Sequence, residues 1–70
     1  MRGATMVADR RLRAAYADAV RAGVGVGTLR AVRYDWARLR GEAYDDPDAL
    51  IRGYEELTGE LRDEIEIEQR

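Results

Sequence analysis

The stretch 19-AVRAGVGVGTLRAV-32 places glycines at 23, 25 and 27, between two runs that read as helices. Before it, Ala8, Leu12, Ala15, Ala19 and Ala22 recur at 4-3-4-3 spacing, with Tyr16 and Val20 widening the stripe. After it, Leu29, Val32, Trp36, Leu39 and Ala43 recur at 3-4-3-4 spacing. Both patterns put apolar side chains on one face of an α-helix. Gly23 follows the last periodic residue of the first run, where a left-handed helix stop favours glycine. Thr28 precedes the second run and reads as its N-cap. The spacing therefore predicts a first helix over about 7–22 and a second over about 29–43.

Two architectures share this joint. Ala19, Gly23, Leu29 and Val32 satisfy the small–Gly–apolar–apolar spacing of a helix-turn-helix. In that motif the start of the second helix reads the bases. Here those positions are Gly25, Val26 and Gly27, which carry no hydrogen-bonding side chains and disfavour a helix starting so early. Only Arg30 and Tyr34 would remain to contact DNA. A plain hairpin between two packed helices is the better reading, and nucleic acid is not the expected partner.

A third helix opens at "DDPDAL". Asp46 stands at the N-cap, Pro47 at the first helical position and Asp48 in the first turn, where the helix dipole favours an acid. Leu50, Tyr54, Leu57, Leu61 and Ile65 form its stripe, with Ile51 beside it, so the helix is expected over 47–66. Gly59 inside it invites a local bend. At about 1.5 Å per residue this helix outruns its neighbours. The ending "EIEIEQR" alternates with period two, so Ile65 and Ile67 cannot share one core, and residues 66–70 are expected to fray or to meet another chain. The whole reads as one all-α domain, an antiparallel three-helix bundle, with Trp36 at the centre of its core.

Composition narrows the function. The 70 residues include no Cys, His, Ser, Lys, Asn or Phe. Ser–His and Cys–His nucleophile pairs, Schiff bases and imidazole or thiolate metal sites are thereby excluded. Carboxylates alone form no recognisable catalytic pair, so the chain is expected to be no enzyme and to need no cofactor. Asp45, Asp46 and Asp48 lack the remainder of a calcium loop, and capping accounts for them without a metal. No stretch approaches the length of a membrane span. "MRGATMVADRR" shows no apolar leader, so the chain as written reads as soluble, or as the mature part of an exported protein if a leader was trimmed.

Charge is unevenly distributed. Residues 1–40 carry a net +6 and residues 41–70 a net −8, and every base is an arginine. Two stripes stand out as candidate partner-binding surfaces. Arg30, Tyr34 and Arg38 fall on one face of the second helix, opposite Trp36, in a pattern suited to an acidic or phosphate-bearing partner; a solvated face with Arg38 paired to Glu42 is the simpler reading. Glu56, Glu60, Glu64 and Glu68 repeat at i, i+4 and repel one another. Arginines of the first two helices are expected to neutralise Glu56 and Glu60. Glu64 and Glu68 are left for a partner protein or a second copy of the chain.

"DRRLRAAYADAVRAGV", "LRAVRYDWARLR" and "DPDALIRGYEELTGEL" together resemble the helical domain of LprI-type lysozyme-inhibitor-like proteins. The matching positions are Asp9, Arg10, Leu12, Tyr16, Leu29, Arg30, Trp36, Arg40 and Tyr54, within about residues 8–61. Members of that family are typically exported and carry cysteines in the last two helices, and this chain carries none. The resemblance implies a small α-helical, non-catalytic domain that acts by binding a protein, and lysozyme as the kind of partner. Because lysozymes are often basic, it also implies the glutamate stripe as the contact.

Overall fold

A computed structural model describes residues 2–70, with the side chains described from residue 3 onward. Three helices follow one another: α1 over Arg2–Ala22, α2 over Val26–Glu42 and α3 over Pro47–Glu68. They form an antiparallel bundle measuring 38 × 20 × 14 Å. α2 runs against the other two, so α1 and α3 lie parallel. The register shows this: Arg62 on α3 pairs with Asp18 on α1 at 2.7 Å, and earlier in both helices Tyr54 shares a cleft with Asp9 and Arg13.

The first joint closes as the glycine at 23 requires. Gly23 has φ +85°, the left-handed region. Its N–H donates to the Val20 carbonyl at 3.2 Å, and Val24 N–H donates to the Ala19 carbonyl at 3.0 Å. These two bonds make a Schellman stop, and Val24 turns inward to become part of the core. α2 then begins earlier than its apolar spacing predicts. Gly25 adopts extended backbone, its carbonyl accepts from Leu29 N–H at 3.1 Å, and the helix is under way at Val26. Thr28 is thus inside the first turn rather than at the cap. Burial of Val24 fixes the direction in which the chain leaves α1. That packing offsets the roughly 1 kcal/mol that Gly27 costs in a helix.

α1 also starts five residues before the expected Val7. Thr5 and Met6 belong to this extra turn and line a cleft with Tyr54. The extension makes α1 nearly as long as α3. The expected overhang of α3 is correspondingly small, since Gln69 comes level with Ala22. α3 does not fray at 66. Ile65 is buried, and its carbonyl accepts from Gln69 N–H at 3.0 Å, which carries the helix to Glu68. The second joint is capped as expected, with Asp46 accepting from Ala49 N–H at 3.2 Å and Pro47 in the first turn.

The core is built mainly between α1 and α3. Leu12, Ala15, Ala19 and Leu61 are wholly buried, with Leu57 and Tyr54 nearly so. Alanines at 8, 15 and 19 let the two backbones approach closely, leaving no room for an indole. Trp36 therefore does not occupy the centre. It sits half-buried at the edge, bridging α2 to Tyr16 at 6.4 Å and to Tyr54 at 6.3 Å between ring centroids. α2 packs tightly on α3 at Gly53, where a Cβ would come within 2.6 Å of both Leu39 methyls.

Candidate functional site

The aromatic seam that holds α2 against α1 also keeps them apart, and a groove runs along the gap. Its larger end is an open cleft of about 430 Å³ lined by Thr5, Met6, Asp9, Arg10, Arg13, Arg40 and Tyr54. A second hollow of about 230 Å³, between Tyr16, Trp36, Ala37 and Arg33, shares Arg13 and Arg40 with it. Helical periodicity explains the convergence. Arg10 and Arg13 are one turn apart on α1, and Arg33 and Arg40 are two turns apart on α2. Both pairs flank their helix's apolar stripe on the side that faces the gap.

Within this groove one guanidinium is already engaged. Arg13 donates to Asp9 at 2.7 Å and lies 5.4 Å from the centre of the Trp36 ring. The hydrogen bond to Asp9 raises the Arg13 pKa further above its ordinary value. Arg10, Arg33 and Arg40 have no ion pair among the described residues, so the groove is positive overall. At its floor stands Tyr54, only 2 % exposed. Burial pushes its hydroxyl pKa up, so the group stays an uncharged donor to higher pH than an ordinary tyrosine. The Trp36 N–H acts on it in the opposite sense but falls short of hydrogen-bond geometry, and that buried nitrogen has no partner. The Tyr54 hydroxyl is not enclosed in that way: it opens on the cleft and donates to no side chain among the described residues.

The residues singled out from the sequence lie elsewhere. Arg30, Tyr34 and Arg38 form an exposed ridge on α2, with Tyr34 68 % exposed. Arg38 reaches Glu42 at 3.9 Å, as its spacing predicts, and Asp35 at 3.8 Å. Glu60 and Glu68 are exposed and Glu64 half-buried. Glu56 and Glu60 do not find the arginines expected to neutralise them: among the described residues no member of the Glu56–Glu68 stripe forms an ion pair. The reason is orientation. Gly53, on the same flank of α3 as Glu60, packs on Leu39, so the stripe borders the α2 face that carries Asp35 and Glu42, while Arg33 and Arg40 face α1. The inter-helix ion pair that does form lies on the opposite flank. There Asp18 accepts from Arg62 and also from Arg21, and the Arg62 bond holds its carboxyl below the usual range.

Among the described residues no group of three or more acidic side chains converges as a metal site, and no helix is long and apolar enough to cross a membrane. Of the positions that carry the resemblance noted above, Asp9, Arg10, Tyr16, Trp36, Arg40 and Tyr54 border the groove, while Leu12, Leu29 and Arg30 do not line it. Arg33 and Arg13 complete it and were not legible as site residues in the sequence. The one signal was their i+7 and i+3 relation to Arg40 and Arg10, which means little until the rotation of α1 against α2 is known. No protein-family model matches the chain, and no curated protein or solved structure matches it.

Proposed function

We propose that this chain is a non-enzymatic helical module that binds a protein partner, with the groove between α1 and α2 as its working face. The observation that carries this reading is the set of guanidiniums at Arg10, Arg33 and Arg40, held around a rigid aromatic seam without internal carboxylate partners. Arginine forks on a preformed surface recognise carboxylates with direction as well as charge. The side chains offer no nucleophile–base pair, so binding rather than turnover is the use that fits. The inhibitor-like form of this reading comes from the resemblance to LprI-type proteins and would add the Glu60, Glu64 and Glu68 ridge as a contact for a basic enzyme. The test is affinity capture on the immobilised full chain against an Arg33→Glu/Arg40→Glu variant. A partner held by the first and lost from the second supports the groove. Inhibition of lysozyme in a cell-wall lysis assay, relieved by Glu60→Arg/Glu64→Arg, supports the inhibitor form.

One finding favours a second reading. The turn at Gly23–Gly25 is three residues long and α2 starts at Val26, closer to a helix-turn-helix than the glycines predict. Against it, α2 folds back along the bundle, and Val26 and Gly27 at its start carry no donors. Nanomolar binding to a duplex with clear sequence preference would establish that alternative and overturn the protein-binding module.

A further inference from the structure

We propose that the 430 Å³ cleft at the Tyr54 end of the groove seats a side-chain carboxylate from an acidic segment of a partner protein, held by Arg10, Arg40 and the Tyr54 hydroxyl. The inference deepens the reading of the groove as a docking face and rests on it.

Two independent observations meet in the cleft. The first is charge: of its three guanidiniums only Arg13 is neutralised, by Asp9, leaving Arg10 and Arg40 unpaired. The second is a hydroxyl donor in the cleft wall. The Tyr54 ring is almost wholly enclosed, while its hydroxyl opens on the same cleft and donates to no side chain among the described residues. An incoming carboxylate oxygen would accept from this hydroxyl while bridging the two guanidiniums. Asp9 on Arg13 shows the chemistry already at work on the same wall.

A protein segment fits better than a nucleic acid. Single strands bind such grooves by stacking bases on open aromatic faces. Here Trp36 is taken up by Tyr16, Tyr54 and the Arg13 guanidinium, so its ring offers no platform. A free phosphate dianion also fits less well than a carboxylate monoanion, because Asp9 stands in the same cleft. The space exceeds what one carboxylate needs, and the adjoining hollow beside Arg33 leaves room for the next acidic residue of the same segment.

Trp36 is the single tryptophan and borders the groove, so its fluorescence reports occupancy directly. The full chain is titrated with end-blocked hexaglutamate, hexaglutamine, inorganic phosphate and a single-stranded oligonucleotide. Hexaglutamate should give a saturable change that hexaglutamine does not. Arg40→Gln should weaken it about tenfold, as expected for loss of a charged hydrogen bond, and Tyr54→Phe should weaken it severalfold. Arg38→Gln, on the outer ridge of α2, should leave it unchanged. Should Tyr54→Phe lose its cooperative melt, Arg10→Gln at an exposed position serves in its place. The proposal is overturned by no response to hexaglutamate, by equal losses in Arg38→Gln and Arg40→Gln, or by tighter binding of phosphate or the oligonucleotide. A capture partner that still depends on Arg33 and Arg40 while hexaglutamate fails would retain the groove and remove the carboxylate seat.

Discussion

Asp18 is the residue that ties the parallel pair of helices together, and it does so at the surface. Its carboxylate accepts from Arg62 across the α1–α3 seam and from Arg21 along α1. The Arg62 bond, ahead of the other influences, depresses its folded pKa. A depressed carboxyl pKa contributes stability that is fully present above the ordinary value of about 3.9 and is lost as pH falls through the folded value. Urea midpoints for the parent and Asp18→Asn should therefore differ at pH 6 and converge in acid, as pH falls through the folded value. A gap that persists in acid would mean that Asp18 acts through packing and not through its charge. At this scale the sequence was only partly readable. Gly23 and Asp46 announced their roles because a helix stop and an N-cap depend on near neighbours alone. Trp36 did not, because its place at the edge follows from the alanines of α1, on a different helix. Glu56 and Glu60 misled for the same reason: arginines in the right number do not imply arginines on the right flank.

Helices tolerate glycine according to what faces it, and α3 contains both cases. A Cβ at Gly59 would meet no heavy atom within 4 Å, whereas one at Gly53 would press on the Leu39 methyls at 2.6 Å. Gly59→Ala should raise stability by about 1 kcal/mol through helix propensity. Gly53→Ala gains the same propensity but overpacks the α2–α3 contact, a cost of about 1–3 kcal/mol, so it should be neutral to destabilising. Thermal melts of the two variants side by side check this. Equal stabilisation of both would show that α2 can shift away from α3 without penalty. Gly59 also reads differently in the fold than in the sequence, where it invited a bend: α3 runs unbroken from Pro47 to Glu68. The apolar stripes of all three helices were largely legible because burial follows a period of 3.6, and Leu50, Tyr54, Leu57, Leu61 and Ile65 are all buried; Val20, expected to widen the α1 stripe, stands about 100° round the helix from Ala19 and is 53 % exposed. The early start of α2 was not, since a Schellman turn and an inward Val24 overrode the poor propensity of its glycines.

For the molecule as a whole, the net charges of the two chain halves stay largely unneutralised by each other. Ion pairs between helices are confined to Arg62 with Asp18 among the described residues. A basic groove and an acidic ridge therefore coexist on one small body, and neither could be placed from the sequence before the rotation of the helices was known. Leu61 and Ile65 are covered within the chain, which leaves Ile67, 54 % exposed, as the apolar residue through which the end of α3 would meet a second copy. Sedimentation velocity over a range of concentrations, with Ile67→Glu as control, decides this. Association that disappears in the variant supports a second copy there, and a monomer at all concentrations removes it. The parallel pairing of α1 with α3 has one more consequence. Asp18 and Arg62 are 44 positions apart, and such distant pairings make folding slow for so small a helical protein. α1 and α2 share chiefly the aromatic seam, whose floor, Tyr54, belongs to α3. Released alone from the ribosome, the first two helices would share little core beyond that seam. The chain should acquire its structure in one step after the last helix emerges, and until then its alanine-lined α1 depends on not meeting another apolar surface.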